Sequence, residues 1–136
     1  MTMKKPAQII LLCCLAALAF DAAGAFLSRL LDFPYAYLSP ISLLIYALAG
    51  FLVAPRGSIW TGLWAGAVVG FVDGTLGWAI SWMIGPGDVS ALQPTLDVLV
   101  GATLIAVALG AVCGLVGGAI GSKVRKPNIV ASGSEK

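Results

Sequence analysis

Four stretches of more than twenty residues each run almost without charge through this chain. Between Pro6 and Ser28 the only charged side chain is Asp21, and between Gly57 and Gly87 the only one is Asp73. The stretches Phe33 to Pro55 and Val98 to Ser122 carry none. A bilayer core about 30 Å thick is crossed by roughly 20 residues of helix. Backbone in hydrocarbon must satisfy its own hydrogen bonds, which leaves helices or a closed barrel. The runs are continuous rather than alternating at period two, so a barrel is excluded. The expected fold is therefore an all-α membrane protein, a four-transmembrane-helix bundle with helices near 7–29, 37–54, 58–84 and 96–122. Residues 1–126 form one transmembrane domain, and 127–136 is a polar tail expected to be disordered. With 10% charged residues, the 136-residue chain lacks the polar surface of a soluble domain, where about 25% is usual.

Punctuation supports these limits. Phe33-Pro34-Tyr35, Pro55-Arg56-Gly57 and Gly85-Pro86-Gly87-Asp88 read as connections, and Pro94 stands before the last helix. Pro40 sits in the first turns of its helix, where a missing N–H does little harm. Trp60, Trp64, Trp78 and Trp82, with Tyr35 and Tyr37, read as interfacial aromatic belts. An up-down path puts Lys4, Lys5, Arg56, Lys123, Arg125, Lys126 and Lys136 on one side and Arg29 alone on the other. Cationic loops stay cytoplasmic, so both termini are expected inside, in the cell (inner) membrane. A competing reading takes Lys4-Lys5, the apolar run and Ala23-Gly24-Ala25 as a cleavable leader, which would leave three helices.

Glycine recurs every fourth residue at Gly62, Gly66, Gly70 and Gly74, and again at Gly110, Gly114 and Gly118. Such stripes, of glycine-zipper type, let helix backbones approach closely in a membrane. The segments Gly66 to Gly77 and Gly110 to Gly121 agree at seven of twelve positions. Duplication and convergence on one packing pattern both account for this.

The sharpest signal is the pair Asp21 and Asp73. A charged side chain at the centre of a membrane helix costs roughly 2.5–3.5 kcal/mol on insertion scales, so such residues usually face protein or water. The two lie about 14 and 15 residues into helices of the same direction, roughly 20 Å along each. They can share one site, with Ser42 and Tyr46 entering from the second helix, Thr75 flanking Asp73, and Arg29 two turns beyond Asp21. On the helical wheel Asp73 falls within the glycine stripe. Two readings of the pair compete. One is a structural hydrogen bond from a protonated carboxyl, and the other a site in a channel or transporter.

Chemistry excludes much else. Without histidine there is no Ser–His or Cys–His pair, and Cys13, Cys14 and Cys113 lack metal-ligand spacing and read as packing residues. Gly70-Phe71-Val72-Asp73 lacks the second glycine that intramembrane aspartyl proteases carry just before the aspartate. No nucleotide motif appears. No enzyme activity, metal or cofactor is expected, and no nucleic acid partner. The functional expectation is a homo-oligomeric channel or transporter for a small ion or solute. Its alternative is a non-catalytic accessory or assembly subunit of a larger membrane complex. In either case the lipid bilayer is its surroundings.

Overall fold

The computed structural model describes residues 5–85 and 95–124. Lys4, the connection with Pro86, Asp88 and Pro94, the cations Arg125 and Lys126, and the 127–136 tail lie outside the described residues. Every regular element among the described residues is helical, and four helices are long and apolar enough to cross a membrane. The first is α1 (Pro6–Leu31). The second is α2 (Ser39–Val53), extended at both ends by 3-10 turns at Tyr35–Leu38 and Ala54–Arg56. The third is built from α3 (Ile59–Val72) and α4 (Trp78–Ile84), joined without a break by a π-helical turn at Asp73–Gly77. The fourth is α5 (Leu96–Val124). These limits fall within two residues of the sequence expectation at every described end.

Each boundary has a local cause. Pro6 opens α1, where its missing N–H is no loss. At the far end Asp32 adopts left-handed backbone, φ 52°, which aspartate tolerates better than most residues. The Asp32 and Phe33 N–H groups both return to the Ser28 carbonyl, and Ser28 Oγ donates to the Phe33 carbonyl at 2.6 Å. This clamp, followed by Pro34, turns the chain back so that Tyr35 lies over the bundle. At the start of α3 the Ser58 N–H donates to Thr61 Oγ1 at 2.7 Å, and the Thr61 N–H returns to the Ser58 carbonyl.

Backbone contact organises the interior. The most extensive contact is α3 against α5, followed by α2 against α5. A Cβ placed on Gly66 would stand 2.7 Å from Gly114 Cα, and one on Gly62 would stand 2.9 Å from Gly118 Cα. Gly70 meets Ala106 and Gly110, and Gly74 meets Thr103, so the register runs antiparallel. On a neighbouring face of α5, Gly117 lies against Ala47 and Gly121 against Phe51, so α2 and α5 run in the same direction. The buried residues of α5 are all glycine: Gly110, Gly114, Gly117, Gly118 and Gly121. Its large side chains, among them Leu104, Val112 and Ile120, point outward. Around this frame Ile9, Cys13, Cys14, Ala17, Tyr46, Ala49, Val53, Ala65 and Val69 form the packed core.

The third helix runs on over the expected span, but a π turn within it breaks the regular α phase. The Trp78 N–H reaches back five residues to the Asp73 carbonyl. Gly74 and Gly77 lie in this turn, Thr75 Oγ1 bonds the Phe71 carbonyl at 2.6 Å, and Thr103 Oγ1 donates to the Gly74 carbonyl at 2.8 Å. One residue added to the turn shifts the following helix by about 100°. Residues 78, 81 and 82 therefore occupy the face that 77, 80 and 81 would otherwise hold.

Because Gly114 meets backbone on two sides, a branched side chain there has nothing flexible to displace. Gly114→Val should lower unfolding stability in detergent by about 3 kcal/mol, at the upper end of overpacking effects. A Cβ placed on Gly101 would meet no neighbour within 4 Å. Gly101→Ala should be neutral or stabilise by up to about 1 kcal/mol through helix propensity, measured in the same thermal unfolding experiment.

Candidate functional site

Asp21 projects from the buried face of α1, which also carries Cys14, Ala17, Ala25 and Ser28. Parallel packing of α1 against the third helix brings it to the π turn, where its Oδ2 lies against Gly77. A side chain at position 77 would collide with that oxygen, so glycine there makes room for the acid. Asp73 begins the same turn, and its Oδ1 lies 3.6 Å from the position a Gly77 Cβ would take. Asp21 Oδ2 and Asp73 Oδ1 thus both face Gly77.

Each carboxyl is also held by a tyrosine. Tyr35 Oη donates to Asp21 Oδ1 at 2.8 Å, and Ser81 Oγ donates to Tyr35 Oη at 3.2 Å. Tyr46 Oη donates to Asp73 Oδ2. Asp21 is 4% exposed, Tyr46 3% and Ser81 2%, while Tyr35 and Asp73 are half-buried. The other oxygens, Asp21 Oδ2 and Asp73 Oδ1, are buried and receive no donor from the described residues. A carboxylate has no proton to give. A single proton held between these two oxygens would satisfy both at once. The arrangement is an acid pair in which each carboxyl is clamped by a tyrosine.

A cavity of about 460 Å³ adjoins the pair. Its wall includes Asp21, Tyr35, Ser42, Tyr46, Asp73 and Ser81, together with Trp78, Trp82, Ile105 and Leu109. The two indoles meet edge to face, with ring centroids 5.3 Å apart. The phase shift of the π turn is what presents Trp78, Ser81 and Trp82 to this space.

Of the residues singled out from the sequence, Asp21, Asp73, Ser42 and Tyr46 meet at the cavity. Arg29 and Thr75 do not. Arg29 is exposed at the end of α1, where its Nη1 donates to the Ile84 carbonyl at 2.9 Å. Its long side chain reaches the open carbonyls of a helix end more readily than a buried acid two turns away. Thr75 lies two residues from Asp73, on another face, and bonds its own helix. Asp73 itself turns toward α1 and α2, while Gly74 continues the glycine stripe toward α5. Tyr35, Trp78 and Trp82, which suit an interfacial belt by position, line the cavity instead, whereas Trp60 and Trp64 are 66% and 67% exposed. A polar signal for Tyr35 lies in its place just past the Phe33-Pro34 reversal, but the bond to Asp21 needs the Ser28 clamp. Among the described residues no group of three or more His, Cys, Asp or Glu side chains gathers to hold a metal. Comparison with protein-family models, curated proteins and solved structures finds no match.

The clamp makes an asymmetric prediction. In Asp73→Asn the amide can offer an N–H to the unpartnered Asp21 Oδ2, while its carbonyl still accepts from Tyr46. It should cost less than about 1 kcal/mol. Tyr46→Phe strands Asp73 Oδ2 without a donor and should cost about 1–3 kcal/mol. Thermal unfolding of both variants in one detergent tests the order.

Proposed function

We propose that this chain is a multi-pass membrane protein that moves a small ion or solute through the cavity beside Asp21 and Asp73, working as a homo-oligomer in the cell (inner) membrane. The observation that carries the reading is an acid pair, Asp21 buried and Asp73 half-buried, placed beside a cavity within helices long and apolar enough to span a bilayer. Such acids are expensive in hydrocarbon and mark ion or solute paths. A packing hydrogen bond alone needs neither the second carboxyl nor the adjoining space. In this reading the chain is no enzyme and holds no cofactor.

Orientation follows from charge. Lys5, Arg56 and Lys123 lie at one end of the bundle and Arg29 at the other. The positive-inside rule places the former end, and with it both termini, on the cytoplasmic side. The cavity then opens nearer the outer face, beside Pro34 and Tyr35. Flux across liposomes carrying the full chain, measured over a panel of inorganic and organic ions, tests the reading. At least one ion should cross faster than in protein-free liposomes. Asp73→Asn should slow it by about tenfold or more, the effect of about 1.4 kcal/mol at the site. Unchanged flux in that variant overturns the proposal.

A second reading, an accessory or assembly subunit of a larger membrane complex, draws on α5. Only 11% of its most apolar window is buried within the bundle, which leaves a broad apolar face for lipid or a partner helix. Purification in mild detergent separates the two. A homo-oligomer isolated alone supports transport, and stoichiometric co-isolation of other proteins supports the accessory role.

A further inference from the structure

We infer that the occupant of the cavity is a small amphiphilic organic monocation, an alkylammonium with an aromatic or branched apolar body, and that it takes the place of a single proton held between the unpartnered oxygens of Asp21 and Asp73. The inference rests on the proposed function in taking this cavity as the solute site, and it adds the chemical class of the solute.

Charge sets the sign of the ligand. The cavity wall carries two carboxyls and no Lys or Arg. Arg29 is engaged at the Ile84 carbonyl outside it. With a single proton between them the acids hold one negative charge, and after its loss they hold two. An anion is repelled in both states, and a neutral solute leaves the charge uncompensated in apolar surroundings.

Size and lining set the rest. A volume near 460 Å³ lies in the range of small-molecule pockets. A bare metal ion would fill little of it and would need several oxygen ligands, yet the free oxygens here are few and most of the wall is apolar. Trp78 and Trp82 present indole surfaces to the same space as the acids. Aromatic faces attract organic cations, most strongly when both are desolvated. The cationic head then lies by the acids and the apolar body against the indoles and α5.

Proton balance is simple. The ligand arrives with its own charge, the bridging proton leaves to solvent, and each carboxylate keeps its tyrosine donor. The other titratable groups around the pair are Tyr35, Tyr46 from α2 and, beyond Tyr46, Cys113 from α5. No cation faces the pair from any packed element among the described residues.

Benzyltrimethylammonium is a suitable probe, and neopentylbenzene, its uncharged counterpart of the same shape, is the control. The full chain is placed in lipid nanodiscs with Trp60→Phe and Trp64→Phe, so that indole emission reports Trp78 and Trp82. Saturable quenching by the cation is expected, strengthening by up to about tenfold per pH unit while one proton is displaced per cation bound. Binding should fall about tenfold or more in Asp73→Asn, and also in Asp21→Asn. Absence of saturable binding overturns the inference, as does equal binding of neopentylbenzene or binding indifferent to pH. Flux of an inorganic ion without probe binding overturns it and leaves the transport reading standing. Probe binding without flux of any ion does the reverse.

Discussion

Backbone-to-backbone contact between α3 and α5 is what the rest of the molecule hangs on. In lipid, apolar side chains gain little by leaving one hydrocarbon for another, so helices hold together by close packing and hydrogen bonds. Glycine permits the closest approach. Gly62, Gly66 and Gly70 against Gly118, Gly114 and Gly110 fix both the distance and the register of the pair. The same α5 receives α2 through Gly117 and Gly121. One helix thereby positions the two elements that carry Asp73 and Tyr46.

The polar cluster is placed by that frame and also ties it together. Tyr46 ties α2 to Asp73 of the third helix, while Tyr35 bonds Asp21 of α1 and receives Ser81 of α4. Each bond joins segments distant in sequence. Inside a low-dielectric interior such bonds are strong when complete and costly when one partner is missing. Two carboxyl oxygens of this cluster, Asp21 Oδ2 and Asp73 Oδ1, have no donor among the described residues.

The π turn reconciles two demands on one helix. Upstream of it, α3 must show a glycine face to α5. Downstream, α4 must show Trp78, Ser81 and Trp82 to the cavity. A regular helix carrying this sequence would turn those residues away by about 100°. Thr103, from α5, bonds the Gly74 carbonyl within the turn, so the irregularity is anchored to the most tightly packed interface in the protein.

Much of this was legible in the chain. Local composition determines the four apolar helices and their limits, because length and lack of charge are properties of each segment alone. The depth of Asp21 and Asp73 follows from counting along helices of one direction, and the wheel of α1 correctly groups Asp21 with Cys14, Ala17, Ala25 and Ser28. The choice of neighbours is different. These helices are apolar all round, so periodicity does not separate the face toward lipid from the face toward protein. Only the tertiary structure could turn Asp73 away from the glycine stripe, set Arg29 and Thr75 apart from the acids and bring Tyr35 onto Asp21. Those outcomes depend on close approach between segments far apart in the chain, and on one extra residue in a helical turn.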